Sequence, residues 1–245
     1  MATSLSKGLT VLSALADAKG TRSLRQLSQD TGLPRSTVHR VVTELRDAGF
    51  IESSAVGHQL GLRLFELGGN ALRQSQLVSV ARPSMEDLYE RTRRVVQLGV
   101  LQGFDVMYVV RVGRQGHQLV ASPVAGRIPA NCAAIGKAIL ANNETLVDDM
   151  IARGLERRTR NSMVEPSTLR AELAEVRRSG IATELEEARM GLACIASPII
   201  VDGSVRAAIS LTMTVREFAP VSFGSTVKST VERLSRELSS DWLDE

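Results

Sequence analysis

The chain has 245 residues, 43% of them apolar and only 3% aromatic, with a net charge of +3. That length suits one large or two modest domains with an aliphatic core, and so few rings exclude extended stacking on single-stranded nucleic acid. No apolar run approaches the roughly 20 residues of a membrane span, the N-terminus lacks the apolar region and cleavage site of a signal peptide, and Cys132 and Cys194 form no CxxC, so a cytoplasmic protein without a disulfide scaffold, cysteine zinc site or other cofactor is expected.

The positive charge sits at one end. Residues 1–80 carry nine Lys/Arg against six Asp/Glu, whereas the rest of the chain carries 21 of each. A mild local excess of this kind supports nucleic-acid binding only weakly. Leu5, Leu9, Leu12 and Leu15 recur at helical spacing and predict a first amphipathic helix, with Gly20 as its stop. Ser23 can cap a second helix, SLRQLSQDTGL, with Leu24 and Leu27 inward and Gly32 ending it. Pro34 stands in the first turn of a third helix.

On a wheel of 100° per residue, Val38, Val41, Val42 and Leu45 of that third helix fall within about 100° of arc and face a core. Ser36, Arg40, Thr43 and Asp47 lie opposite, with His39 on the flank and Arg35 and Thr37 near the helix start. The outward N-terminal half therefore offers hydroxyls, arginines and an imidazole, while Glu44 and Asp47 would repel phosphate. A helix that dips only its N-terminal end into a major groove has this polarity, and its first amides favour a phosphate. Phe50-Ile51, the break SSAVGH and QLGLRLFEL then predict a short hairpin, or wing, with His58, Gln59 and Arg63 able to reach a duplex backbone. Spacing alone also allows an ordinary three-helix subdomain with a solvated polar face.

Residues 62–93 form a connector in which Gly68-Gly69 interrupts a helical pattern and Pro83 marks a new start, followed by Met85, Leu88 and Tyr89 on one helix face. VVQLGVLQG and DVMYVVRVG predict a hairpin turning at Gly103-Phe104, with HQLVASPV as a third strand. AAIGKAILA reads as a buried helix, NETLVDDMIARG as a helix capped by Asn143, and PSTLRAELAEVRRSG as one that buries Leu169, Leu173 and Val176 and stops at Gly180. IATELEE, CIASPIIV and SVRAAISLTM predict strands, the last two joined by a tight Asp202-Gly203 turn. A helix from about Val221 to Ser239 closes the chain. Together these make an α+β domain, an antiparallel sheet with helices packed on it. Gly136-Lys137 does not make a phosphate loop. Asn131 stands where its first glycine belongs, and Ala138 replaces the hydroxyl that would hold magnesium.

The first 47-residue run, with LPRSTVHRVVTEL at its centre and GHQLGLRLFELG after it, resembles the winged helix-turn-helix of the IclR family of bacterial transcription regulators. IPANCAAIGKAILA resembles the family's loop and helix start beside its effector pocket. SGIATELEEARMGLACIASPIIVDGSVRAAISL resembles its sheet segment, and TRNSMVEPSTL the loop before its long helix. The resemblance implies a winged helix-turn-helix over residues 1–66, a linker helix over 67–82 and a GAF-like ligand-sensing domain over 83–245. It implies DNA contacts from Ser23, Arg35, Ser36, Thr37, His39, Arg40, Thr43, His58 and Arg63. It implies an effector pocket lined by Ile128, Ala130, Asn131, Ala133, Glu184, Leu192, Cys194, Ser210 and Thr212. The expected partners are double-stranded operator DNA, a small organic acid or related metabolite, and further copies of the chain in a dimer or a dimer of dimers. His58-Gln59 departs from the family's aromatic-basic pair, Asn131 from its histidine, Ala133 from its threonine and Glu184 from its aspartate.

Two other functions compete. One is a thiol redox enzyme or sensor using Cys132 and Cys194. No nucleophile elbow, metal spacing or nucleotide loop supports another chemistry, and of three histidines only His117 lies outside the N-terminal third. The other is an architectural DNA-binding protein without a ligand.

Overall fold

A computed structural model describes residues 3–113 and 120–241, with side chains to 239. The chain divides into two compact units, residues 1–74 and 75–245.

In the first unit, α1 (Ser4–Ala16) starts at a Thr3 cap, α2 (Leu24–Thr31) at a Ser23–Gln26 capping box, and α3 (Arg35–Asp47) directly after Pro34. Gly32 takes a left-handed φ of 69°, the conformation that ends α2 and turns the chain into α3. Val11, Leu15, Leu27, Val38, Val41, Val42 and Ile51 form the core. The expected inward stripe of α1 is therefore only half right. Leu15 is buried and Leu12 partly so, but Leu5 and Leu9 are 73% and 57% exposed. The α1 face that α2 and α3 cover is the one through Val11, and Leu5, Leu9 and Leu12 instead wall an open apolar groove of about 330 Å³ with Val41, Leu45 and Phe50.

β1 (Ile51–Ser54) and β2 (Gly57–Leu60) form the expected wing, paired Ser53 to His58. The wing is fastened by reciprocal 2.8 Å backbone bonds between Arg22 and His58. A side chain at Gly57 would come within 2.9 Å of the Arg22 carbonyl, so glycine is what lets this strand approach. α4 (Leu62–Gln74) runs straight through Gly68 and Gly69, which do not interrupt it, and buries none of its residues.

In the second unit, α5 (Gln76–Thr92) starts at a Ser75 cap. Pro83 lies inside this helix rather than at its start. The missing N–H is tolerated because Val78, Ala81, Ser84, Met85 and Leu88 bury the turns on both sides. The sheet order is β5-β4-β3-β8-β7-β6, all antiparallel: β3 (Val95–Gln102), β4 (Asp105–Val112), β5 (Arg127–Pro129), β6 (Ala182–Leu185), β7 (Leu192–Val201) and β8 (Ser204–Thr214). Asp202 and Gly203 both take positive φ, as a two-residue hairpin turn requires. HQLVASPV supplies no strand over its described residues 120–124; the edge strand is β5 instead, and residues 117–119 lie outside the described residues.

α5 and α9 (Pro220–Asp241) pack on one sheet face with Leu98, Ile195, Ile209, Leu211 and Met213. The other face carries α6 (Ala134–Leu140), α7 (Glu144–Arg153) and α8 (Pro166–Ser179). Asn143 caps α7, and Leu169, Leu173 and Val176 are the buried side of α8, as the periodicity predicts. Every residue of α6 is buried. A Cβ on Gly136 would sit 2.1 Å from the Ala130 carbonyl oxygen, so this glycine serves a close backbone approach.

Candidate functional sites

The first candidate site is the outward face of α3 with the wing. Arg35, Ser36, His39 and Arg40 are exposed along the N-terminal half of α3, while Thr37 and Thr43 are half-buried. Thr43 donates its hydroxyl to the His39 carbonyl at 2.9 Å, which leaves only oxygen lone pairs to face outward. No side chain caps α3 at Pro34, so its first-turn amides are spared that competitor for a phosphate.

His58 lies on β2, and its Nδ1 is 2.8 Å from the Ser53 hydroxyl. Its pKa is lowered, first by burial and then by the positive charges of Arg46 and His39. These charges place Arg46 and His39 of α3 near the wing. Arg46 also lines a surface hollow with Ser53 and Arg63. The sequence reading missed Arg46, because only the wing's pairing brings it there.

The other two expected DNA residues are already engaged. Ser23 spends its hydroxyl on Gln26, accepting from its N–H and donating to its Oε1. Arg63 pairs with Glu66 at 2.9 Å on the surface, a contact weak enough to exchange for phosphate.

The second candidate site is the sheet face beneath α6. Alternation places Glu184 on β6, Cys194 on β7, Ser210 and Thr212 on β8 and Gln97 on β3 toward the same side. Glu184 and Cys194 are cross-strand partners, as are Cys194 and Thr212. The Cys194 sulfur lies 3.3 Å from the Thr212 hydroxyl, which donates to Gln97 Oε1 at 3.1 Å. A polar row thus crosses four strands of an otherwise apolar face. Cys194 remains partly exposed although it is flanked by strands on both sides.

Glu184 is 1% exposed and takes the backbone N–H of Glu187 and Ala188 at 2.6 and 2.9 Å. Burial raises its pKa to about 7, against the lowering effect of the Ala188 and Glu187 N–H groups and the Cys194 thiol. Tyr108 on β4, absent from the sequence reading, feels Cys194, Glu184 and Arg158, and burial keeps its phenol neutral. Ile128, Ala130, Ala133 and Leu192 are buried around the same layer.

Asn131 faces elsewhere. Its amide donates to the Glu156 and Met163 carbonyls at 2.8 and 3.0 Å and pins the loop between them. Its cleft, about 250 Å³ in volume, is shared with Phe104, Asp105 and Arg153.

Lys137 is the other residue that composition alone did not reveal. It is fully buried, 2.5 Å from Glu172 and 2.8 Å from Glu187. Burial works against its charge, but Glu187 and then Glu172 outweigh it and raise the pKa. Its ion pairs join α6 to α8 and to the loop that Glu184 caps. The visible signal was a lysine inside an Ala/Ile/Leu helix.

Both thiols are poor nucleophiles. Burial is the largest cause that raises the pKa of Cys132 and, to a greater degree, of Cys194, whereas reactive cysteines need the opposite shift. Among the described residues no group of three or more His, Cys, Asp or Glu side chains is arranged to hold a metal, and no helix is long and apolar enough to cross a membrane.

Comparison with known proteins matches both parts of the chain to one family. Residues 4–55 match the IclR helix-turn-helix domain, and residues 69–240 match the C-terminal domain of bacterial IclR transcriptional regulators. The chain is 33% identical over 202 residues to the acetate operon repressor of Salmonella typhimurium, covering 80% of this chain and 74% of that one. It is 30% identical over 245 residues to the repressor AllR of Klebsiella pneumoniae, covering 97% and 90%. An IclR homologue from Microbacterium hydrocarbonoxydans, solved in complex with 4-hydroxybenzoate, superposes with a TM-score of 0.85 at 28% identity over 97% of this chain and all of that one. A putative regulator from Rhodococcus has a TM-score of 0.82 at 25% identity, covering 97% of both chains.

Proposed function

Since this chain belongs to the IclR family of bacterial transcription regulators, we propose that it is a cytoplasmic, effector-controlled regulator that binds operator DNA as a homodimer, and that its bound state represses. The observation that carries the reading is the two-sided α3. Val38, Val41 and Val42 hold it to the core while Arg35, Ser36, His39 and Arg40 stand free. Arg40 and His39 read base edges, and Arg35, Thr37, His58, Arg63 and the α3 amides take phosphates. Ser23 keeps its cap and positions α2.

The dimer reading rests on α4. Its 13 residues bury nothing, and Phe65 and Leu62 are 80% and 72% exposed. A helix this short is marginal in water without packing. Leu62, Phe65, Gly69 and Leu72 follow a 3-4-3 spacing, an apolar seam fitted to the same seam on a second copy. A two-fold dimer then prefers two similar half-sites; pairing of dimers is the larger assembly that the same family suggests.

The effector is read as a small organic acid or related metabolite held on the face of Glu184, Cys194, Ser210 and Thr212. The 4-hydroxybenzoate complex of the Microbacterium protein supports that class. The effector acts by binding one arrangement of the two recognition helices more tightly than the other. Equal affinity for both would change nothing. A gel shift with DNA from upstream of its own gene tests this reading. We expect a salt-sensitive complex that candidate acids weaken. Equal affinity for random DNA, with and without acids, overturns it.

A further inference from the structure

Three buried polar atoms lack a hydrogen-bond partner among the described residues: Arg94 Nε, Glu187 Oε2 and Gln97 Nε2. The first two belong to side chains already satisfied by ion pairs, Arg94 with Glu217 and Glu187 with Lys137. Gln97 is different. It is a neutral amide, 2% exposed, whose donor end has no partner at all. Buried donors are nearly always paired in native proteins, so an unpaired one needs a reason.

Its setting supplies one. Gln97 pairs with Ser210 in the sheet, on the face beneath α6. Thr212 donates to its Oε1 at 3.1 Å, and the N–H groups point away from that hydroxyl. The direct cross-strand partners of Gln97 are Ser210 on β8 and the cationic Arg111 on β4, while Thr212 bonds it from the diagonal and Cys194 lies beyond Thr212 on β7. A glutamine kept for packing could have been leucine or methionine, with no donor left unmade.

We propose that Gln97 is an effector-recognition residue, donating through Nε2 to an acceptor oxygen, carbonyl or carboxylate, on the bound molecule, with Thr212 as the residue that orients it. This rests on the reading of the Glu184–Thr212 face as the effector site and adds a chemical requirement to it. The group opposite Gln97 must accept a hydrogen bond. An amine or an unsubstituted hydrocarbon at that position leaves the donor unpaired and is rejected.

Two variants separate the roles of the amide. Gln97→Met keeps the shape and removes both hydrogen bonds. Gln97→Glu keeps an acceptor for Thr212 and replaces the donor by a second acceptor. Binding of benzoate, 4-hydroxybenzoate and 2-oxobutanoate, with benzylamine as the donor-only counterpart, is measured by calorimetry on full-length protein, alongside melting without ligand. Acids that bind the wild type should bind Gln97→Met at least tenfold more weakly and Gln97→Glu more weakly still. Benzylamine should not bind the wild type. Binding of the acids by Gln97→Met within twofold of wild type overturns the proposal while leaving the effector site standing. Failure of all three acids to bind the wild type overturns the effector reading and this proposal with it.

Discussion

Glu184→Gln should flatten the pH dependence of stability in residues 75–245. Burial lifts this carboxyl from 4.5 to about 7. A folded-state pKa above the unfolded one means that the native state holds the proton more tightly. Its stabilising contribution is therefore complete below about pH 4.5 and is lost as pH rises through about 7. At about 1.36 kcal/mol for each tenfold change in proton affinity, the interval from 4.5 to about 7 corresponds to about 3 kcal/mol. Glutamine can still accept the Glu187 and Ala188 N–H bonds through Oε1, so the loop they close should persist. Glu187, whose pKa is also raised by burial, leaves a residual slope in the same direction. Both tyrosines and the single tryptophan lie in residues 75–245, so urea unfolding followed by intrinsic fluorescence reports this unit. Between pH 5 and pH 8 the wild type should lose stability with rising pH, and the variant should lose much less. An identical slope in the two proteins would refute the account of Glu184.

Val41→Asp places a charge in a fully packed site and should unfold the 1–74 unit, a loss of roughly 4 kcal/mol or more, seen as missing helical signal with the second unit's fluorescence transition intact. Gly136→Ala forces a methyl group against the Ala130 carbonyl and should destabilise the second unit by about 1–3 kcal/mol, read as a lower urea midpoint. Phe65→Ser removes the largest exposed apolar side chain of α4, worth about 1.5–3 kcal/mol if buried in a dimer. Sedimentation should show a dimer that dissociates at higher concentration than the wild type, and an unchanged dimer would remove α4 from the interface.

What was legible in the sequence was whatever rests on local periodicity. The stripe of Val38, Val41 and Val42, the Ser23 and Asn143 caps and the Asp202-Gly203 turn are all written within a few residues. The misreadings have a common physical cause. Leu5 and Leu9 are as periodic as Leu15, and only the reach of α2 and α3 decides which of them is covered. Pro83 and Gly68-Gly69 look like breaks, but a well-buried helix tolerates the first and α4 simply continues through the second. On the sheet face proposed for the effector, Glu184, Cys194 and Thr212 came from family resemblance. Gln97 and Tyr108 did not, because sheet register brings them there from strands 76–115 residues distant in the chain. Asn131 matched by position, yet its amide is occupied by the Glu156 and Met163 carbonyls.

A selection of genomic DNA fragments by full-length protein, wild type beside Arg40→Ala, tests most directly whether α3 reads base sequence. The wild type should enrich fragments that share a two-fold symmetric site, and Arg40→Ala should retain salt-dependent DNA binding but lose that enrichment. Enrichment of the same symmetric site by both proteins, or of no shared site by the wild type, would contradict the assignment of Arg40 and the exposed face of α3 to sequence recognition.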